Sequence, residues 1–505
     1  MQRMRFPSLF FRQRLNTVGI PFVFGVMAIV LLPALWGIGL AIFFILLSLL
    51  FSFFREDRET RISLILLAVG LSLALIVCGS EGIRQRKRAE FSDQTFSVCG
   101  TVTQSADGEI SLLCCFPEGS IALKTLRIDG DFPFNSGDIV KGQIRVLPYL
   151  TDQDRQDGIF LRGEALSDMQ VFDNDFFYSA VNAVRTHCLD AFGNTREGRF
   201  FKAILLGDRT GLSEEDQVNF QKIASSHLLA ISGLHISILT GFFYFAAKSF
   251  FLSRRIANIL FFPMIFFFYF LSGCQVSVFR AGFMSAFAIL AAFLRRRADS
   301  VTALVFSACL LIGLNPYVIE SHSFLFSFLS TFAIISVAGD LSNSVSLTLA
   351  LTFRKKFWHR ILSSFSSSVC TLLILAICIF TFTFPLQLSL YETVQVLSPI
   401  YSVILIPLFS PCVWLGVLRA IASFLPFSIP LLQRISAGYV GFFLDLVKTF
   451  SDAAPASVSF GSFTLLLILA SLLLLLCCFV FRRPLKNIFD LYLITFLPAF
   501  FQMLT

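Results

Sequence analysis

Long apolar runs separated by short basic clusters cover most of the chain, and one polar stretch interrupts them. Apolar residues dominate 20–54, with a break near Pro33 and Gly37, and again 62–78, which predicts three spans. From 80 to about 168 the pattern becomes short and β-like, with strand-like runs at 95–102, 110–116, 121–128, 139–146 and 159–165. Asp107-Gly108 supplies a hairpin turn between the first two. Five strands in so short a stretch predict a small β domain and fit a barrel. Between 173 and 224 the period changes to that of amphipathic helices. Phe176, Phe177, Ala180, Val181, Val184, Cys188, Leu189 and Phe192 form a stripe beside Arg185, Arg196, Arg199 and Lys202. This segment is expected to lie along a membrane surface, with its cations on a solvated face.

Beyond 225 the apolar runs resume, near 256–272, 276–294, 300–315, 322–339, 361–384, 396–418, 430–450, 461–481 and 487–504. About a dozen spans are expected in total. The expected division is 1–79 for N-terminal transmembrane helices, 80–170 for the β domain, 171–224 for interfacial helices and 225–505 for a channel domain. With a cytoplasmic N-terminus, Arg254-Arg255, Arg295-Arg296-Arg297, Arg354-Lys355-Lys356 and Arg482-Arg483 all fall inside, as the positive-inside rule requires, and the β domain falls outside. Arg84, Arg86, Lys87 and Arg88 run against the rule, since they would lie outside just after a span.

Composition agrees with a chain that lives mostly in lipid. Hydrophobic residues make up 56% and charged residues 14% of the 505, and mean hydropathy is +0.78. The net charge of +8 suits basic cytoplasmic loops and does not by itself indicate nucleic acid. Within 95–168, eleven acidic residues outnumber six basic ones, which argues against a broadly cationic barrel surface. Lys141, Gln143 and Arg145 alternate on one face of a strand and leave room for a local contact. The twelve cysteines form no C-x-x-C pair, and most sit in apolar runs as small hydrophobes. Pairing of the first two strands would bring Cys99 near Cys115, so a disulfide there is an open option. There is no G-x-x-x-x-G-K-S/T motor loop and no H-E-x-x-H, and the five histidines make no metal cluster. No metal, cofactor or catalytic site is expected.

The segment 225–241, S-S-H-L-L-A-I-S-G-L-H-I-S-I-L-T-G, carries an unusual polar load for an apolar helix. Gly233, Ser237 and Gly241 fall four apart and make a seam of small residues suited to helix packing. Ser232 and His235 lie on a neighbouring face, with His227 just before them. Two readings stay open from spacing alone. The helix is packed, with its polar groups bonded to neighbouring backbone, or it lines a polar path. Arg280 sits inside another apolar run, where an arginine costs about 2.5–3.5 kcal/mol and normally faces a partner or a watery cavity. Prolines 399, 407 and 411 in one apolar run predict a broken helix.

Leu206-Gly207-Asp208-Arg209, Gly211-Leu212-Ser213 and His227-Leu228-Leu229-Ala230-Ile231-Ser232-Gly233-Leu234-His235-Ile236 resemble the signature of the ComEC competence proteins. Ser272-Gly273, Ser277, Arg280-Ala281, Met284 and Arg296-Arg297-Ala298-Asp299 resemble the family's second signature, with Val276 in place of a proline. Ser323-Phe324-Leu325-Phe326-Ser327-Phe328 stands where G-F-Q-L-S-F is usual, so the glutamine's role does not carry over. Ser398-Pro399 and Pro407 resemble the family's proline-containing helices, with Ser402 where asparagine is common. The resemblance implies a polytopic α-helical membrane protein with an inserted small OB-like β-barrel outside the cytoplasm. It would pass single-stranded DNA across the bacterial inner membrane during natural transformation. His227, Ser232, Gly233, His235 and Arg280 are the path candidates. A cytoplasmic ATPase, an extracytoplasmic DNA receptor and a separate nuclease would be partners, along with membrane lipid. The family's C-terminal metal-dependent domain carries H-x-H-x-D-H, which does not occur in this sequence, so no nuclease activity is expected. The alternatives are a secondary transporter of a small anionic solute, and a scaffold that transports nothing.

Overall fold

The computed structural model describes residues 14–459 apart from 32–33, 55–57, 107–108, 116–122, 131, 133, 135, 167–168, 210, 295–297, 339–356, 392, 427–428 and 455–457. The expected turn at Asp107-Gly108, the basic triplets at 295–297 and 354–356, and the runs at 461–481 and 487–504 lie outside the described residues. The chain opens with helices α1 (Arg14–Leu31), α2 (Ala34–Phe54) and α3 (Arg58–Phe91), then strands β1 (Thr95–Ala106), β2 (Glu109–Cys115), β3 (Leu123–Asp129) and β4 (Asp138–Val146). The short helix α4 (Asp152–Gln156) leads to β5 (Leu161–Ala165), β6 (Gln170–Asn174) and α5 (Phe176–Phe192). Next come α6 (Arg196–Phe201), a π-helical turn (Lys202–Leu206), α7 (Glu214–Lys222), α8 (Gly233–Ser249), α9 (Arg254–Leu271), α10 (Val276–Phe293) and α11 (Ser300–Leu314). The remainder is α12 (His322–Ala333), α13 (Phe357–Tyr391), β7 (Thr393–Val394), α14 (Ser398–Ala422), α15 (Pro430–Ala453) and β8 (Val458–Ser459).

Among the described residues three helical stretches are long and apolar enough to cross a membrane: Ile62–Arg86, Arg254–Leu271 and Ser398–Ala422. Six shorter apolar helices accompany them, including Thr17–Val30, Ile38–Ser52 and Val276–Ala291. The helix expected to break at its prolines is continuous over Ser398–Ala422. Pro399 occupies the first turn, where no N–H is required. Pro407 and Pro411 lie inside, one turn apart, and the Tyr439 hydroxyl donates to the nearby Leu408 carbonyl at 2.9 Å.

The described residues form two compact units. One comprises Gln13–Ala191 with Asn258–Leu325, and the other comprises Phe192–Ala257 with the described residues from Phe326 onward. In the first unit α1 packs along α3 so closely that a Cβ on Gly70 would stand 2.2 Å from the Val18 carbonyl oxygen, so only glycine permits the approach. The barrel closes in the order β1-β2-β3-β5-β4 and back to β1, with β6 added on β4. β3 and β5 run parallel and the other barrel pairs antiparallel, the arrangement of an OB-like barrel. Alternate residues point inward and fill it: Val98, Val102, Ile110, Leu112, Leu126, Ile128, Val140 and Ile144 are buried together. The sixth strand was not legible as one, since Gln170–Asn174 lacks a clear apolar alternation.

The Cys115 side chain of the expected disulfide lies outside the described residues. Cys99 sits opposite Lys141 of β4, one residue before the Gly100–Cys114 pair of β1 and β2, and is an exposed free thiol. On the same outer face Lys141, Gln143 and Arg145 are exposed, as their alternation implied.

The basic cluster that ran against the charge rule has a structural use. α3 continues about 50 Å at ~1.5 Å per residue, so its C-terminal turns extend past the apolar stretch. There Glu81, buried, pairs with Arg84 at 3.3 Å and Arg88 at 3.1 Å. Arg88 also lies over the Phe160 ring at 5.3 Å and donates to the Ile159 carbonyl. Asn315, after α11, donates to the carbonyls of Arg155 and Gln156 at 2.8 Å each and so closes the end of α4. The barrel is thereby bound to its own unit's helices by polar contacts.

At the barrel wall, Asp154 is fully buried and accepts from Arg127 at 2.7 Å and Arg162 at 3.0 Å. It also closes a capping box with Thr151 at the start of α4. Arg127 reaches Asp157 and Glu109, and Arg162 reaches Asp129 and Glu109. Burial alone would raise the Asp154 pKa, but the bonds from Thr151 and Arg162 and the Arg127 charge outweigh it and hold the carboxyl below its usual range. Asp154→Asn should therefore cost about 3–5 kcal/mol at neutral pH, because two buried guanidiniums lose their shared counter-charge. A depressed carboxyl stabilises above its unfolded pKa of about 4, and that stability is lost as pH falls through the lower folded value. Thermal unfolding of both proteins as a function of pH should show the gap between them narrowing in acid.

Candidate functional site

The three motif segments fold onto one another in the second unit. Thr195 caps α6, its hydroxyl accepting from the Gly198 N–H at 3.2 Å. A Cβ on Gly198 would stand 2.2 Å from the Phe192 carbonyl oxygen, so this turn also requires glycine. The π-helical turn 202–206 ends at Gly207, whose φ of 75° is left-handed. The chain then reaches Ser213, which caps α7 through the Asp216 N–H. Ser213-x-x-Asp216 is a helix-start signal that reading for family motifs passed over.

Beneath these turns lies an aromatic core. Phe192, Phe200, Phe201, Phe220, Phe409 and Phe443 are all fully buried. Phe200 meets Phe220, Phe409 and Phe443 with ring centroids 6.3, 6.5 and 5.8 Å apart. Such rings prefer offset and edge contacts over face-to-face sandwiches. α6, α7, α14 and α15 thus share one packing centre.

The sequence candidates occupy different positions around it. His235 has 0% exposure, with its ring edge against Phe409 at 5.0 Å between centroids. Its Nδ1 accepts the Ser232 N–H at 3.1 Å, and the Ser232 hydroxyl accepts from the Leu234 N–H. Ser232 and His235 therefore make a capping box in which histidine replaces the usual acidic residue. With Nδ1 accepting, the proton belongs on Nε2, which has no hydrogen-bond partner among the described residues. Ser232 and Gly233 are half-buried, and His227 is exposed.

The small-residue seam is not a packed contact among the described residues. Ser237 and Gly241 are exposed, and a Cβ on Gly241 would meet nothing within 4 Å. α8 buries a different face, through His235, Ile236 and Ala247, and meets Trp414 of α14 through Phe242 and Phe245. Burial of His235, Ile236 and Ala247 on that face outweighs the gain from a close approach along the seam.

Arg280 belongs to the other unit, on α10, and is only 7% exposed. α9 and α10 join through Gly273 and Cys274, both left-handed, and Gly282 brings α10 against Ile265 of α9. Arg185 of α5 donates to the Leu271 carbonyl at the end of α9, where a cation meets the negative end of the helix dipole. The apolar stripe of α5 turns Val181, Cys188 and Phe192 inward but leaves Phe176 and Ala180 exposed.

Arg196, expected on a solvated face, is instead a tie. It holds the buried Asp216 through two nitrogens at 2.7 and 3.2 Å and Asp445 of α15 at 2.9 Å. Burial would raise the Asp216 pKa, but the bonds from Arg196 and Ser213 hold it below the usual carboxylate range. Lys448 pairs with Glu215 on the exposed rim of the same contact. Arg196→Ala should cost about 2–3 kcal/mol by leaving a buried carboxylate without its cation. Lys448→Ala should leave the unfolding temperature unchanged within error, since exposed pairs contribute little. Thermal melts of the two purified variants check both outcomes.

The chain is 34% identical over 134 residues to ComE operon protein 3 of Bacillus subtilis (strain 168). That alignment takes in 26% of this chain and 17% of the relative. No solved structure matches. The profile of the family described as "Competence protein" matches residues 204–484, more than half of the chain, including the turns after α6, the capped start of α8, Arg280 and the aromatic contacts of α14 and α15. On that match the chain belongs to the competence protein family.

Proposed function

We propose that this protein takes part in DNA uptake as a multi-pass inner-membrane conduit for single-stranded DNA. The observation that carries the reading is the family match over 204–484, which covers helices apolar enough to cross a membrane together with a buried arginine on an apolar helix. A strand crossing lipid must keep its phosphates solvated or countered, so its route must be lined by protein. Arg280 is the residue proposed to meet passing phosphates, a contact that favours any sequence equally. Within their own unit, Ser232, Gly233 and His227 are proposed path residues, since each keeps exposure. His235 is proposed to act through its neighbours, by fixing the first turn of α8.

The N-terminus is proposed to be cytoplasmic and the barrel extracytoplasmic, with the cations at 254–255 inside. No catalytic step is assigned to the chain. Pulling would come from a cytoplasmic ATPase, delivery from an extracytoplasmic DNA receptor, and removal of the second strand from a separate nuclease. Transport of a small anionic solute would draw support from broken helices at a binding site, and α14 is continuous.

The test is cytoplasmic entry of fluorescently labelled DNA in cells with the gene deleted, complemented or carrying Arg280→Ala. Deletion should abolish entry with surface binding intact, the complement should restore it, and Arg280→Ala at normal protein level should reduce it at least tenfold. Unchanged entry in the deletion strain would remove the DNA reading.

A further inference from the structure

The turn between α8 and α9 presents two phenylalanines to the outside at a conformational cost. Phe250 is 78% and Phe251 95% exposed, and Phe251 has a φ of 55°. The Leu252 N–H donates to the Ala247 carbonyl at 2.9 Å and the Phe251 N–H to Lys248 at 3.0 Å, the two bonds of a Schellman cap. Phe251 therefore stands at the left-handed position that glycine normally fills, and a bulky residue there is strained. Its ring makes no use of the strain inside the fold, since it is almost wholly outside.

Three cations frame this tip. Lys248, Arg254 and Arg255 are exposed, and among the described residues no ion pair joins them. No Asp or Glu occurs anywhere from 217 to 298, so the tip and the two helices that flank it bring no counter-charge of their own. Phe245, Leu252 and Ile256 extend the exposed apolar surface on both sides of the tip. The chain then enters the candidate span Arg254–Leu271 directly. Apolar rings at the end of a span, ringed by cations, fit the level where hydrocarbon gives way to headgroups.

We infer that the Phe250–Phe251 tip, with Lys248, Arg254 and Arg255, docks into the headgroup layer of an anionic phospholipid membrane. The rings enter the acyl boundary and the cations bind headgroup phosphates. Aromatics beside cations also suit single-stranded DNA. Membrane is favoured because the tip is continuous with lipid-facing apolar surface and with a span. The inference rests on the membrane-spanning part of the proposed function and not on DNA transport.

The test uses the purified full chain in mixed micelles of non-ionic detergent with phosphatidylcholine or phosphatidylglycerol, followed by thermal unfolding. Phosphatidylglycerol should raise the unfolding temperature and phosphatidylcholine should not. Each single change, Lys248→Gln, Arg254→Gln or Arg255→Gln, should weaken the apparent affinity for phosphatidylglycerol about fivefold, and the triple variant should lose the response. Phe251→Gly separates docking from folding. Glycine suits the left-handed position, so the variant should unfold at a higher temperature without lipid, while its response to phosphatidylglycerol falls. Equal effects of the two lipids, or a full response in the triple variant, would overturn the inference. So would an undiminished response in Phe251→Gly. A shift produced by a short single-stranded oligonucleotide, dependent on the same three cations and absent with phosphatidylglycerol, would reassign the patch to nucleic acid. Failure of the lipid response would leave labelled-DNA entry unaffected, and failure of DNA entry would leave the lipid response in place.

Discussion

Asp154 has no access to water, and a carboxylate in that position persists only because two guanidiniums and a helix N-terminus share it. Arg127 and Arg162 come from β3 and β5, the strands whose parallel pairing closes the barrel. The ion network therefore stands where the sheet returns on itself, and it ties α4 to that seam. Neither arginine can leave without stranding buried charge on the other side. From α4 the contact passes to Asn315, and from Phe160 and Ile159 it passes to Arg88 and Glu81 at the end of α3. A small polar domain is thus held to apolar helices by groups whose bonds have direction, which area burial alone would not specify.

The second unit meets the same constraint differently. Its centre is a set of buried phenylalanines, which are large and non-directional, and its polar groups are placed at helix ends around them. Thr195, Ser213 and Ser232 each cap a helix start, and Arg196 joins two of these elements to α15. The family-like motifs are therefore in large part a framework of caps and tight turns, with Gly198 and Gly207 where side chains would collide or strain. Capped helix ends on a close-packed aromatic core hold these turns in one arrangement.

Much of the architecture was legible from period and composition. Among the described residues the apolar runs became helices, the alternating stretch became a barrel with strands within a few residues of those expected, and the H-L-L-A-I-S-G-L-H-I segment marked the family. Other features depended on partners far away in the chain. Gly233, Ser237 and Gly241 looked like a packing seam because small residues permit approach. Which face of α8 is buried was decided by Phe409 and Trp414, about 170 residues on.

By itself the sequence determined the class of most of the described segments, because hydrophobic period is a local property and the solvent reads it directly. The Ser213-x-x-Asp216 helix start is also written in the sequence, since it follows from the unsatisfied amides of the first turn. Only the tertiary structure decided which charges are buried and paired. Arg196 and Arg88 carry no local mark that separates them from solvated cations such as Arg254 and Arg255. The physical reason is that a charge's free energy depends on the dielectric and the counter-charges around it, and these are supplied by elements distant in sequence.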